Sequence, residues 1–317
     1  MEGILRTTLL TAIAPVAWGS TYFVTRHFLP PESPLFGGAM RALPVGLVML
    51  ALTRKLPHGQ WWWKVLVLGT LNIGAFFALI YLAALRLPGG MAATLTAISP
   101  ILMILLAWPL LGVRPKLLAL AGAVVGLFGV AMLVLRAGFV VDSVGVIASL
   151  AAVTMASLGF VLVKRWRPPV DMLTLTGWQL VAGGVLLLPV SLIVEGPPPA
   201  LDGRAIGGFV YLGVISTALA YLMWFRGLRR LDAGAVALIG LINPAVGTVI
   251  GVVLAHEAFG VVQLAGMIAV CAGVLAGQPA VHELLRRANT SRAKPTSTAA
   301  CRIRSSTTIE PCPASKR

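Results

Sequence analysis

Acidic residues are scarce in this chain. Only ten Asp and Glu occur in 317 residues, and each falls in a loop, at a terminus or at the edge of an apolar run. The four histidines are placed the same way. Paired carboxylates, a His cluster or an activated nucleophile at membrane depth are therefore missing, which argues against an intramembrane enzyme. The three cysteines, Cys271, Cys301 and Cys312, lack metal-ligand spacing. His256–Glu257 has no second histidine at zinc spacing, and there is no Gly-x4-Gly-Lys-Ser/Thr phosphate loop. No catalytic residue, metal or cofactor is expected, and no direct use of ATP. Charge of both signs is low, at 11%, where a soluble domain carries roughly 25%.

What remains is apolar: 58% of residues, with a mean hydropathy of +0.92. A helix needs about 20 apolar residues to cross a bilayer. Ten such runs occur, near 7–25, 35–53, 64–85, 89–111, 117–135, 143–163, 172–194, 205–225, 233–254 and 260–279. They predict an all-α polytopic membrane protein with ten transmembrane helices. The first run is long enough to span and shows no cleavage pattern, so it is expected to stay in place.

A net charge of +15 would suggest nucleic acid in a soluble chain, but its distribution gives another reason. With a cytoplasmic N-terminus, the inner segments hold twelve basic residues and the outer loops only Arg26, Arg86, Arg136 and Arg204. The positive-inside rule then places both termini in the cytoplasm, in an inner or plasma membrane with lipid as partner, and no nucleic-acid partner is expected. Beyond about Leu285 the chain turns to Ser, Thr, Ala, Pro and Arg without periodicity, which reads as a disordered basic cytoplasmic tail.

The chain repeats. At an offset of 144, Arg86-Leu87 falls on Arg230-Leu231, Gly90 on Gly234, Pro100 on Pro244, and Leu120–Gly122 on Leu264–Gly266. Upstream the offset drops to 138 and lays AWGSTYFVTR over MASLGFVLVK. Each copy holds five spans, an odd number, so the second copy is inverted. The expected division is 1–138, 139–280 and the tail 281–317. Inverted repeats with interrupted helices point to a transporter whose substrate site lies at mid-membrane between the halves. Pro100 and Pro244 sit mid-run, where each is expected to free a backbone carbonyl beside a shared cavity.

Arg41 is the one charged residue deep in a span. It must face the interior or snorkel toward the surface. Other polar and aromatic residues group at helical spacing: Trp18 on the first span, Asn72 and Phe76 on the third, Thr94 before Pro100, Ser157 on the sixth, Gln179 on the seventh, Thr217 and Tyr221 on the eighth, and Asn243 beside Pro244. With Arg41 and the two prolines they form the candidate substrate site, suited to a ligand part ring and part polar. Trp224, near a span end, reads as a headgroup-level anchor, and Leu133 as lipid-facing. Gly122-x3-Gly126 and Gly273-x3-Gly277 are close-packing faces, for an intramolecular contact or a homodimer.

These features resemble the drug/metabolite transporter superfamily, in the form with two EamA domains. The carriers of the likeness are AWGSTYFVTRHFLP in the first span, the Arg41 segment MRALPVGLVML, the ISP and INP prolines, and LAGMIAVCAGVLAG in the last span. The segment 68–100 looks most like the subgroup that exports pigments and other small metabolites. The family pattern ends its fourth helix with Gly-Glu; the second half keeps Glu257, whereas the first half has Val113. The resemblance implies a secondary transporter, an exporter or facilitator of small amphiphilic metabolites acting by alternating access. Export of hydrophobic or aromatic amino acids is the alternative within that class, and a membrane scaffold or sensor the alternative outside it.

Overall fold

The computed structural model describes residues 2–87, 95–134, 142–255 and 260–278. Helices are the regular structure throughout these residues. We number them as ten spans: α1 (Glu2–Phe28), α2 (Pro34–Thr53), α3 (Trp61–Gly69 and Ala75–Arg86, joined by a π-helical turn Thr70–Gly74), α4 (Ser99–Leu111), α5 (Leu117–Val134), α6 (Ser143–Trp166), α7 (Met172–Val194), α8 (Gly203–Gly213 and Ala220–Arg230, joined by a π-helical turn Val214–Leu219), α9 (Ala233–Ile239 and Ile242–Ala255) and α10 (Val261–Ala276). Six stretches are long and apolar enough to cross a membrane, and α4, α5 and α10 are shorter apolar helices. The tail, Thr94 and His256–Glu257 lie outside the described residues.

The few acids serve the helix ends. Asp142, Asp171 and Asp202 cap α6, α7 and α8, each accepting a backbone N–H three residues on, at 2.8, 2.9 and 2.7 Å. Such caps satisfy amides that the helix itself leaves unpaired and place negative charge at the positive end of the dipole. The start of α2 is capped from a distance: Leu35 N–H and Phe36 N–H donate to the Glu195 carboxylate at 2.6 and 2.8 Å. At the other end of the same pair, Lys55 meets Asp171 at 3.3 Å. The beginning of α2 therefore lies beside the end of α7, and the two run antiparallel.

The helix pairs obey one rule. α2 packs on α7 and α5 on α10; α3 packs on α6 as α8 does on α1; α4 packs on α6 as α9 does on α1; α3 packs on α7 as α8 does on α2. Exchanging every helix for the one five places along the chain returns these same pairs. The self-paired helices, α2–α7 and α5–α10, run antiparallel, as the two-fold of an inverted repeat requires.

Glycines let the self-paired helices touch. A methyl added at Gly122 would stand 2.8 Å from the Gly273 carbonyl, and one at Gly266 would stand 2.7 Å from the Gly129 carbonyl. The two small-residue faces thus meet each other inside the chain, α5 on α10. Leu133 belongs to this seam and is buried among Val130, Val270 and their neighbours. The expectation that it faces lipid is corrected: it follows Gly129 by one turn and shares its inward side.

Candidate substrate site

The site is built from two π-helical turns, one per repeat. A π turn inserts a residue into the i→i−4 ladder and releases backbone carbonyls, a distortion common at functional sites. The turn in α3 carries Asn72 and the turn in α8 carries Ser216 and Thr217. Asn72 and Ser216 are 144 residues apart, as are Gly69 and Gly213, which immediately precede the turns.

Each turn is engaged by a polar side chain from the opposite repeat. Arg41 on α2 donates from Nε to the Thr217 hydroxyl at 3.0 Å and from Nη2 to the Ser216 carbonyl at 3.3 Å. Gln179 on α7 accepts at Oε1 from Asn72 Nδ2 at 2.7 Å. Arg41 and Gln179 are repeat mates, at an offset of 138. The glycines make these approaches possible: a methyl on Gly69 would stand 3.0 Å from the Gln179 carbonyl, and one on Gly213 would stand 2.7 Å from a Val45 methyl on α2.

The released carbonyls are also matched. The Asn72 carbonyl accepts from Tyr221 OH at 3.1 Å, and the Ser216 carbonyl accepts from Trp18 Nε1 at 3.0 Å as well as from Arg41. Aromatic rings enclose this core. Trp18 lies 5.5 Å from Tyr221 and 5.1 Å from Trp224, and Phe160 lies 5.5 Å from Trp224. The Arg41 guanidinium stands 4.9 Å from the Phe77 ring centroid.

Most of the expected site residues therefore converge. Arg41, Asn72, Ser157, Gln179, Thr217 and Tyr221 are buried around the two turns, with Asn72 fully so; Trp18 and Phe76 are half-buried at the margin. Arg41 does not snorkel. Trp224 is no surface anchor: it is 3% exposed, because the π turn in α8 rotates it inward beneath Trp18. Ser157 bonds Ser99 at 3.1 Å, and the equivalent position of the other repeat holds Gly19 against the Asn243 carbonyl.

The prolines sit differently from expectation. Pro100 and Pro244 lie in the first turn of a helical segment, following turns at Ala97–Ile98 and Gly240–Leu241. There their missing N–H costs little, and the carbonyls that the cluster uses come from α3 and α8 instead. Buried Pro100 and half-buried Pro244 border the site. Ser216, Phe77 and Trp224 were not among the expected site residues. The signal that pointed to Ser216 was its alignment on Asn72 at the repeat offset.

Three buried polar atoms near the core have no hydrogen-bond partner among the described residues: Asn72 Oδ1, Trp224 Nε1 and Asn243 Oδ1. A cavity of about 50 Å³ lies at the basic end of the bundle, between Arg114, Lys116, Lys164 and Asp232. It is far below the roughly 300–1,000 Å³ of a ligand pocket.

The sequence matches the model of the EamA-like transporter family twice, over residues 5–135 and 143–276. It is similar to Protein PecM of Dickeya dadantii, 39% identical over 258 residues, covering 80% of this chain and 86% of that protein. It is also similar to the uncharacterized inner membrane transporter YedA of Escherichia coli, 26% identical over 250 residues, covering 76% and 80%. A solved crystal structure shares the fold with a TM-score of 0.76 at 21% identity, covering 88% of this chain and 98% of the other.

Proposed function

The chain belongs to the EamA-like transporter family, and from that premise we propose that this membrane transporter is a secondary carrier. It releases small amphiphilic metabolites across the inner membrane by alternating access, with both termini in the cytoplasm.

The observation that carries this reading is the reciprocal closure of the two repeats. Arg41 of the first repeat holds the broken turn of α8, and Gln179 of the second holds the broken turn of α3. Hydrogen bonds that cross between halves at mid-helix are the ones that a rocking motion must exchange. Indole and phenol rings beside amide and hydroxyl groups suit a solute that is part ring, part polar. All ten acids of the sequence lie at span edges or beyond. This favours a facilitator that lets an accumulated product run down its own gradient over a proton-coupled pump.

Purified protein in liposomes, assayed against a metabolite panel, tests the proposal. Asn72→Ala is expected to lower transport with insertion intact, while Phe128→Ala, on an exposed face of α5, is silent. Equal loss in both variants would place the effect on folding. A cysteine introduced at exposed Gln60 is expected to react with an impermeant reagent only in inverted vesicles. Labelling from outside intact cells would overturn the orientation. Uphill accumulation of a neutral solute that a protonophore abolishes would overturn the facilitator reading.

A further inference from the structure

Arg41 is 6% exposed, and its acceptors among the described residues are neutral. They are the Thr217 hydroxyl and the Ser216 carbonyl, with the Phe77 ring beneath. The ion pairs among the described residues are Lys55–Asp171, Arg86–Asp142 and Lys116–Asp232, each at helix ends. Glu195, at the end of α7, has both its carboxylate oxygens taken by the Leu35 and Phe36 amides. A guanidinium is a permanent cation in proteins, and a buried cation without an anion is strongly disfavoured. The equivalent place in the other repeat is filled by uncharged Gln179, which makes the same kind of cross-repeat bond. The fold therefore works there without the charge.

We propose that Arg41 is the anchor for an anionic group on the transported solute, and that the solute class is an organic monoanion with an aromatic or apolar body. The proposal rests on the transporter reading above and names its substrate class. The carboxylate would take the guanidinium by a charge-assisted bidentate pair, which is stronger than bonds to neutral oxygens. Trp18, Tyr221 and Trp224 would cover the ring, and Trp224 Nε1 offers an unused donor. Because the Arg41 bonds to Ser216 and Thr217 also hold the two repeats together, anion binding exchanges a contact between halves for a contact with the solute. A zwitterionic amino acid fits less well, since no carboxylate on the described spans meets its ammonium.

A lone monoanion carries one negative charge per cycle. An inside-negative potential then drives it outward, by about fiftyfold in gradient per 100 mV.

The test uses matched pairs: phenylacetate with phenylacetamide, and indole-3-acetate with indole-3-acetamide. Binding to the full chain in detergent is read by tryptophan fluorescence, and flux is read in liposomes under a potassium diffusion potential. The acids are expected to bind roughly tenfold or more tightly than the amides. That preference should fall to near unity in Arg41→Gln and persist in part in Arg41→Lys. Inside-negative potential should speed acid efflux and leave the amides unchanged. Equal binding of acid and amide by the wild-type protein, or a preference that survives Arg41→Gln in folded protein, overturns the proposal. Transport of the amides alone also overturns it while leaving the transporter reading intact. Charge-selective binding with no flux of any solute leaves the anion site standing and removes the transporter reading.

Discussion

The two π-helical turns are built alike and used differently. Each follows a glycine, each releases a carbonyl, and each is gripped by a residue from the opposite repeat. In α3 the grip is Gln179 on Asn72, neutral to neutral, and the carbonyl takes one donor, Tyr221. In α8 the grip is Arg41, and the carbonyl takes two donors, Trp18 and Arg41. The repeat thus supplies the geometry of closure twice but the charge once. Geometry shared by both halves belongs to the fold. The charge found in one half has no counterpart in the other, where Gln179 stands in its place, and it is the feature on which the proposed anion selectivity rests.

Making the halves equal in charge is the harshest way to test that difference. Gln179→Arg would place a second cation at membrane depth, where insertion costs about 2.5–3.5 kcal/mol, in a space that Asn72 already fills at 2.7 Å. We expect a loss of about 3 kcal/mol in stability, seen as a lowered unfolding temperature in detergent and poor yield of folded protein. Arg41→Gln, the reverse equalisation, is expected to fold with a much smaller loss. Comparable damage from both variants would mean that Arg41 is structural after all.

Gly159 sits where α6 passes the α3 turn. A methyl there would stand 2.7 Å from the Asn72 amide carbon and closer still to its oxygen. Asn72 would have to leave Gln179, so Gly159→Ala should cost about 1–3 kcal/mol from overpacking and reduce transport with it. Wild-type unfolding temperature in this variant would show that the Asn72–Gln179 bond carries no weight.

How far the sequence reveals this arrangement depends on the kind of signal. Ten spans, the inversion and the relation of Pro100 to Pro244 follow from run length and self-alignment. Most of the polar residues brought together here stand out because polar groups within apolar runs are costly and therefore few. The π turns were not legible. No proline marks Thr70–Gly74 or Val214–Leu219, and a helical wheel assumes the regular 3.6 period that these turns break. Trp224 reads as a surface anchor because it stands near the end of the apolar run 205–225, but the helix continues to Arg230 and Trp224 is buried. Leu133 misled for a different reason: a leucine among glycines reads as lipid-facing until the partner helix α10 is seen to be just as small-sided.

A finer comparison separates the two released carbonyls. Tyr221→Phe removes the side-chain hydrogen bond to the Asn72 carbonyl and should cost about 1 kcal/mol, the net worth of a buried bond. Trp18→Phe leaves the Ser216 carbonyl still bonded to Arg41, so its hydrogen-bond loss should be smaller. Unfolding temperatures of the two variants compare them directly, and a larger loss in Trp18→Phe would show that Arg41 does not satisfy the α8 turn.

The smallest expected effect lies at the ends of the α2–α7 pair, where Glu195 holds one end and Asp171 the other. Burial pushes the Asp171 carboxyl up, but hydrogen bonds from the Thr174 amide and hydroxyl and from Lys55 outweigh it and hold the group below the usual carboxylate range. A depressed value means stability that is present above the unfolded value, about 3.9 for Asp, and is lost as pH falls through the folded one. Lys55 and Asp171 are both more than half exposed at 58% and 51%, so solvent screening limits the pair to a few tenths of a kcal/mol. Asp171→Asn keeps an effective cap on α7 and removes only the charge. The variant should unfold slightly below wild type at pH 7, and the gap should close below about pH 4 as wild-type Asp171 takes up its proton. Glu195→Gln makes the sharper contrast, because its carboxylate meets two amides at 2.6 and 2.8 Å with no intervening cation. A gap for Asp171→Asn that stays constant from pH 7 to pH 3 would show that the Lys55 pair and the charged cap contribute nothing to holding α2 on α7.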